Sequence, residues 1–303
     1  MAVLLLVGCN ATDKDSATDT SVTALEQQDT QFPVTLTDAL GKEITIEKAP
    51  EKIISLVPSN TEILFALGLD EQIVGVNDYD NYPEAVATKE RVGGMEFNLE
   101  QIIALQPDLV LAHESRVYGM EEGITQLEAV GIDVFVVKNA VDFDETYTTI
   151  EQIGQLTGTM AKANELVTTI QTQLDEIQQK VAGLEPKSAF ILVGTEPDIY
   201  AAGTGTYIDE MLQLIGVENA VQTEGWPMYS AEQFVASNAN TILVTYESDM
   251  EAIMQNPAYA VMDAVQNGMV KLIDEDTTSR QGPRLAAGVE SIAKAMYPEV
   301  FGE

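Results

Sequence analysis

The sequence is poor in the side chains that most often carry catalysis. Its 303 residues include one cysteine (Cys9), one histidine (His113) and one tryptophan (Trp226). One cysteine allows no intrachain disulfide and no Cys-based zinc site. One histidine removes multi-histidine metal centres and HExxH hydrolases. A Ser-His-Asp triad would have to use His113, and no GxSxG turn accompanies it. The Gly203-Thr204-Gly205 run lacks the third glycine of a dinucleotide loop, and no GxxxxGK(S/T) phosphate loop is present. Basic residues are also scarce, with 15 Lys+Arg against 49 Asp+Glu and a net charge of −34; the pI is near 4.1. Sequence-independent nucleic-acid binding, which needs cations on phosphates, is excluded on that count, and a bare anionic bilayer would repel the chain. Hydrophobic residues make up 45%, enough to bury a core, and the length suits about two lobes. The composition points away from an enzyme.

Residues 1–9 read as the end of a signal peptide. Ala2–Val7 is apolar but far too short to span a bilayer, which takes about 20 residues. Leu6-Val7-Gly8-Cys9 resembles the bacterial lipobox, which implies a lipid on Cys9 as the mature N-terminus. No basic stretch precedes the apolar run. Residues 10–31 are polar, acidic and rich in Thr, the composition of a flexible tether.

From residue 33 the pattern becomes α/β. Val34–Leu36 and Ile44–Ile46 alternate around Leu40-Gly41-Lys42 as a hairpin would. Buried-strand runs follow at Ile53–Val57, Ile73–Val76, Leu109–Ala112 and Val134–Val137, with helical stretches at Leu99–Leu105 and Glu121–Val130 between them. Ala161–Val181 places apolar residues at 166, 170, 174, 177 and 181, an amphipathic helix of about 30 Å at 1.5 Å per residue. Gly183 and Pro186 stop it. Further βα units run through Phe190–Val193, a helix at Ile208–Ile215, Thr241–Thr245, a helix near 257–266 and Val270–Ile273. The expected fold class is α/β, two Rossmann-like lobes (32–160 and 185–303) joined by one long helix (161–184), with the ligand cleft between lobes.

A weak internal repeat supports two lobes. NLEQIIALQPDLVLA at 98–112 aligns without gaps to SAEQFVASNANTILV at 230–244, matching Glu100 to Glu232 and Gln101 to Gln233. Asn98 and Ser230 are good N-caps, and the glutamines three residues on complete capping boxes. Glu100 and Glu232 then lie in first helical turns, where the macrodipole favours acids. Two acids at equivalent places on two lobes also suit a partner with two-fold pseudosymmetry that offers each a basic residue.

Four stretches, KIISLVPSNTEILFALG at 52–68, VGVNDYDNYPE at 74–84, VGGMEFNLEQIIALQPDLVLAHES at 92–115 and TSRQGPRLAAGVESIAKAMYPEVF at 278–301, carry a resemblance. The chain resembles the vitamin B12, ferric-siderophore and haem class of ABC-importer substrate-binding proteins, over residues 33 to 301, and looks most like the cobalamin binders. The resemblance implies a monomeric, extracytoplasmic, lipid-anchored receptor without cofactor or covalent chemistry. It would capture a metal chelate, a corrinoid or alternatively a ferric siderophore or haem. Its partners would be an ABC permease dimer and the ATPase subunits. In the family, an acid in each lobe docks on permease arginines; by motif these are Glu100 and Glu232. Candidate ligand contacts are Asp78, Tyr79, His113, Trp226 and Arg280. Flat apolar ligands suit rigid aromatic anchors, although Trp226 and Tyr79 could equally be packed loop residues. His113 is open to two roles, axial ligand to cobalt or iron, or neutral hydrogen-bonding group at a strand end. Arg280 could meet a ligand phosphate or carboxylate, and Arg284 is expected to pin the last helix to the C-terminal lobe.

Overall fold

The computed structural model describes residues 30–195 and 198–302; Cys9, the 1–9 segment and the tether up to residue 29 lie outside them. The chain opens on the expected hairpin, β1 (Val34–Thr37) and β2 (Glu43–Ile46), antiparallel with Val34 opposite Ile46. Next come β3 (Ile53–Ser55), α1 (Pro58–Ala66), β4 (Ile73–Val76), β5 (Glu90–Arg91), α2 (Leu99–Leu105) and β6 (Leu109–His113). The N-terminal lobe continues with α3 (Glu114–Val117), α4 (Glu121–Ala129) and β7 (Asp133–Val137). Its sheet is parallel throughout, in the order β5-β4-β3-β6-β7. Strand order reverses at β3, which opens a crevice at the carboxyl ends of β3 and β6.

Two long helices lead out of this lobe, α5 (Phe143–Thr157) and α6 (Met160–Val181). The strandless stretch from 145 thus holds a second helix as well as the predicted one. Asp142 caps α5, its carboxylate accepting from the Glu145 amide at 2.7 Å. Gly154 lets the pair close, because a Cβ there would stand 2.5 Å from the Ala163 Cβ.

The C-terminal lobe runs through β8 (Lys187–Gly194), β9 (Ile199–Ala201), α7 (Tyr207–Leu214), β10 (Val217–Asn219), β11 (Met228–Tyr229), α8 (Ala231–Ser237) and β12 (Thr241–Val244). It ends with α9 (Glu247–Gln255), α10 (Asp263–Gln266), β13 (Val270–Leu272), α11 (Glu275–Ser279), α12 (Leu285–Met296) and α13 (Pro298–Phe301). Its sheet order is β11-β9-β8-β12-β13, with β10 also on β8; β9 and β11 pair antiparallel. The helix expected near 257–266 divides differently. Pro257 disfavours the α region at Asn256, which is extended (ψ 115°), so α9 lies upstream of it and only a four-residue turn, α10, follows.

The repeat is structural. Helices α2 and α8 are each seven residues long and start directly after their caps, Asn98 and Ser230. Both end on a non-glycine residue in the left-handed region, Gln106 (φ 52°) and Asn238 (φ 38°). Asp108 then accepts from the Glu51 and Lys52 amides ahead of β3, and Asn240 accepts from the Ser188 amide in β8. The two capping boxes differ: Ser230 and Gln233 exchange both bonds, whereas Asn98 only accepts from the Gln101 amide.

One apolar cluster joins the lobes. It runs from Leu109, Leu111 and Phe135 of the first sheet through Ile150 and Ile153 of α5 and Ile170, Leu174 and Ile177 of α6. From there it reaches Val289 and Ile292 of α12 and Ile191 and Leu243 of the second sheet. A hinge between lobes would have to expose this area, at about 25 cal/mol per Å².

Candidate functional site

The carboxyl-end loops of the two sheets face each other. Helix α1 follows β3, and its carboxylate Glu62 is buried between polar Ser59–Thr61 and apolar Ile63 and Leu64. Across the lobes Glu62 accepts from Arg280 (Nη1 to Oε1, 2.8 Å) and from Arg284 (Nε to Oε2, 2.8 Å; Nη2 to Oε1, 2.6 Å). Arg280 also donates to Asn81 Oδ1 at 2.7 Å and pairs with Asp276 at 2.5 Å, while Asn81 donates to Asp276 at 2.8 Å. The Arg284 guanidinium lies over the Tyr82 ring, 4.3 Å from its centroid. Two carboxylates and two guanidinium groups make the cluster neutral, as burial requires.

This corrects two expectations. Arg284 pins the last helix to the N-terminal lobe, because its acceptor is Glu62. Arg280, expected to offer its charge to a ligand, already has three oxygen acceptors in the cluster. Sequence reasoning missed Glu62; the signal was a lone carboxylate directly before the apolar Ile63–Leu67 run, which must be paired if that helix is buried. A second bridge joins the lobes where the Phe143 amide donates to Glu210 at 2.6 Å and the Phe143 and Tyr207 rings meet edge to face.

Beside the cluster, three N-lobe loops converge. Asn77 donates to Leu56 O and Gly94 O, tying the loop after β4 to its neighbours. Gly94 lies against Tyr79, where a Cβ would meet the ring at 3.1 Å. Arg116 of α3 lies against the Met95 thioether. Asp78 and Tyr79 are exposed here, Tyr79 at 53%. On the other lobe Trp226 is 59% exposed, just ahead of the edge strand β11. Large aromatics left in water at loop tips are what an apolar ligand would cover. The Gly203-Thr204-Gly205 run is a structural turn: a Cβ at Gly203 would stand 1.8 Å from Thr223 O, and Thr206 caps α7.

His113 ends β6 and is 5% exposed. Its Nδ1 accepts from the Ser115 amide at 3.3 Å, which puts the proton of the neutral ring on Nε2. Burial, and then the Arg116 charge, push its pKa down to about 4. Asp80 is buried below the same loop, accepting from the Asn77 amide (2.7 Å) and the Thr61 hydroxyl (2.9 Å). Burial pushes its carboxyl up to about 6.

These shifts have opposite consequences for stability. Folded Asp80 keeps a proton up to about pH 6 that the unfolded chain releases near 3.8, so its contribution is present at low pH and lost as pH rises. His113 stays neutral in the fold down to about 4, whereas the unfolded ring protonates near 6.5, so its contribution is lost as pH falls. Each shift corresponds to about 3 kcal/mol. Relative to wild type, Asp80→Asn therefore gains stability as pH rises from 4 to 7, and His113→Gln gains it as pH falls. Urea unfolding at three pH values checks this, and parallel profiles for all three proteins would contradict it.

Among the described residues, no group of three or more His, Cys, Asp or Glu is placed to hold a metal, and no helix is long and apolar enough to cross a membrane. Glu100 and Glu232 are exposed in the first turns of α2 and α8, and neither forms an ion pair among the described residues. The Glu232 carboxyl is held below its usual range by its own backbone amide and the Ser230 side chain.

Residues 53–277 match the periplasmic binding protein family. An uncharacterised ABC-transporter substrate-binding lipoprotein of Bacillus subtilis is 40% identical over 100% of this chain and 96% of its own length. A vitamin B12-binding protein of Yersinia pestis is 28% identical, covering 82% of this chain and 87% of its own. The structure of a possible iron-binding periplasmic solute-binding protein from Staphylococcus epidermidis superposes with a TM-score of 0.77 at 36% identity, covering 82% of this chain and 100% of its own.

Proposed function

The chain belongs to the periplasmic binding protein family, and from that premise we propose that it is an extracytoplasmic receptor that captures a corrinoid between its lobes and delivers it to an ABC importer. The observation that carries the reading is an exposed aromatic in a loop of each lobe, Tyr79 and Trp226, with neutral His113 at the carboxyl end of β6. A corrin ring offers flat apolar faces for the aromatics and a rim of amides for polar loop groups. The likeness to the Yersinia B12-binding protein supports the same ligand.

Asp78, Tyr79, His113 and Trp226 contact the ligand, while Arg280 holds the end of the cleft in shape through Glu62. Glu100 and Glu232 dock on one basic residue in each half of the permease, and the partner's ATPase subunits drive release. Cys9 carries the lipid, as the lipoprotein relative from Bacillus suggests, and residues 10–31 tether a monomeric receptor above the membrane. No covalent step is involved.

Equilibrium dialysis of the full chain against cyanocobalamin tests the reading. One-to-one binding is expected, weakened about tenfold or more in Trp226→Ala, since a buried aromatic anchor contributes on the order of 2 kcal/mol. A ferric chelate is the second reading, favoured by the likeness to the Staphylococcus protein. Binding of a ferric hydroxamate or haemin with none of cobalamin would establish it.

A further inference from the structure

Five cations stand at the carboxyl-end edges of the two sheets: Arg91, Arg116, Lys138, Arg280 and Arg284. Four have oxygen partners. Arg91 donates to Asn77 O (2.6 Å) and Asp80 O (2.9 Å). Lys138 pairs with Glu145, and Arg280 and Arg284 share Glu62 and Asp276. Arg116 alone has no carboxylate or carbonyl partner among the described residues. Its guanidinium rests on the thioether of Met95, a weak acceptor.

Its place in the fold is specific. Arg116 sits on α3, directly after His113, and Met95 is in the loop after β5, so the guanidinium bridges two of the three converging loops. Met95 and Tyr118 beside it are 63% and 97% exposed. Nearby Glu114 is committed to the Asn139 amide at 3.0 Å. In a chain of net charge −34, Arg116 is thus the one cation of this group whose charge has no protein oxygen beside it among the described residues.

We propose that Arg116 is a specificity-determining residue that binds the one anionic group of the captured ligand, a phosphodiester or a single carboxylate on an otherwise uncharged metal chelate. The proposal rests on the corrinoid reading above, within which the anion is the phosphodiester that joins the nucleotide to the ring. Guanidinium matches a phosphate through two parallel bonds, and such charge-assisted bonds are about twice as strong as neutral ones. More highly charged chelates fit less well, since Lys138, Arg280 and Arg284 are already paired with carboxylates and exposed Asp78 adds negative charge.

The test is a calorimetric cycle with wild type and Arg116→Gln, each titrated with cyanocobalamin and with dicyanocobinamide, the corrinoid that lacks the nucleotide and its phosphodiester. The expected result is a loss of about ten- to a hundredfold for cyanocobalamin in the variant, with cobinamide affinity unchanged. Equal losses for both corrinoids would make Arg116 a structural support of the loop, and no loss for either would remove it from the site; both overturn the proposal and leave the receptor reading standing. Wild type that binds neither corrinoid overturns the receptor reading and this inference with it.

Discussion

Replacing Glu62 with alanine lowers the stability of the folded protein by about 3–5 kcal/mol. The large size follows from what is left behind. Glu62 accepts three hydrogen bonds from Arg280 and Arg284, and removing it strands two guanidinium groups whose side chains are only 13% and 19% exposed. Among the described residues Asp276 is their other ion-pair partner, at 2.5 Å from Arg280 and 4.0 Å from Arg284; Asp274 acts on both from further away, and neither replaces the bidentate contact of Glu62. At roughly 2–4 °C per kcal/mol for a chain of this size, the melting midpoint falls on the order of 10 °C. Guanidinium-chloride unfolding would embarrass the argument by a loss below about 1 kcal/mol, the value of a solvated surface pair. Replacing all four charged members with apolar residues of similar volume is expected to restore much of the loss, because the cluster as a whole has little net worth.

On the proposed reading, reversing both Glu100 and Glu232 to lysine is expected to abolish corrinoid uptake while leaving ligand affinity and fold intact. The contrast rests on magnitudes. An acid in the first turn of a helix contributes about 0.3–1 kcal/mol through the macrodipole, and Ser230 and Asn98 still cap α8 and α2. Losing one partner of a buried interfacial charge pair costs about 2–5 kcal/mol, and a like charge in its place adds repulsion. In the proposed docking, the losses at the two sites multiply. Uptake by cells carrying the double variant, set beside dialysis of the same protein, checks both halves. Normal uptake, or a matching fall in ligand affinity, would show that these acids only begin helices.

The parts of this molecule that sequence reading reached are those where local chemistry decides. Asn98 and Ser230 cap, the apolar residues of α6 repeat at three and four, and Leu109–Leu111 and Thr241–Val244 are continuous apolar runs that only a buried strand accommodates. The C-lobe edge was hidden because β9 and β11 hold three and two residues, too few to show a period of two. Pro257 carried the information about α9, yet the apolar residues after it drew the helix downstream. Glu62 and Arg284 lie 222 positions apart, so no local pattern could pair them. Arg116 was overlooked for a related reason: a cation is informative only once the acceptors of its neighbours are known. Tyr79 and Trp226 were singled out as aromatics, and their exposure is a property of the fold.

Hydrogen–deuterium exchange of the full chain, with and without cyanocobalamin, tests the account most directly. The account predicts slowed exchange at residues 77–82, 93–97, 113–119 and 226–229, the strand-end loops and the Trp226 edge, with α6 and the apolar core unchanged because the lobes share one cluster. No protection at millimolar cobalamin, or protection centred on α6 and α12, would contradict a corrinoid site in a rigid cleft.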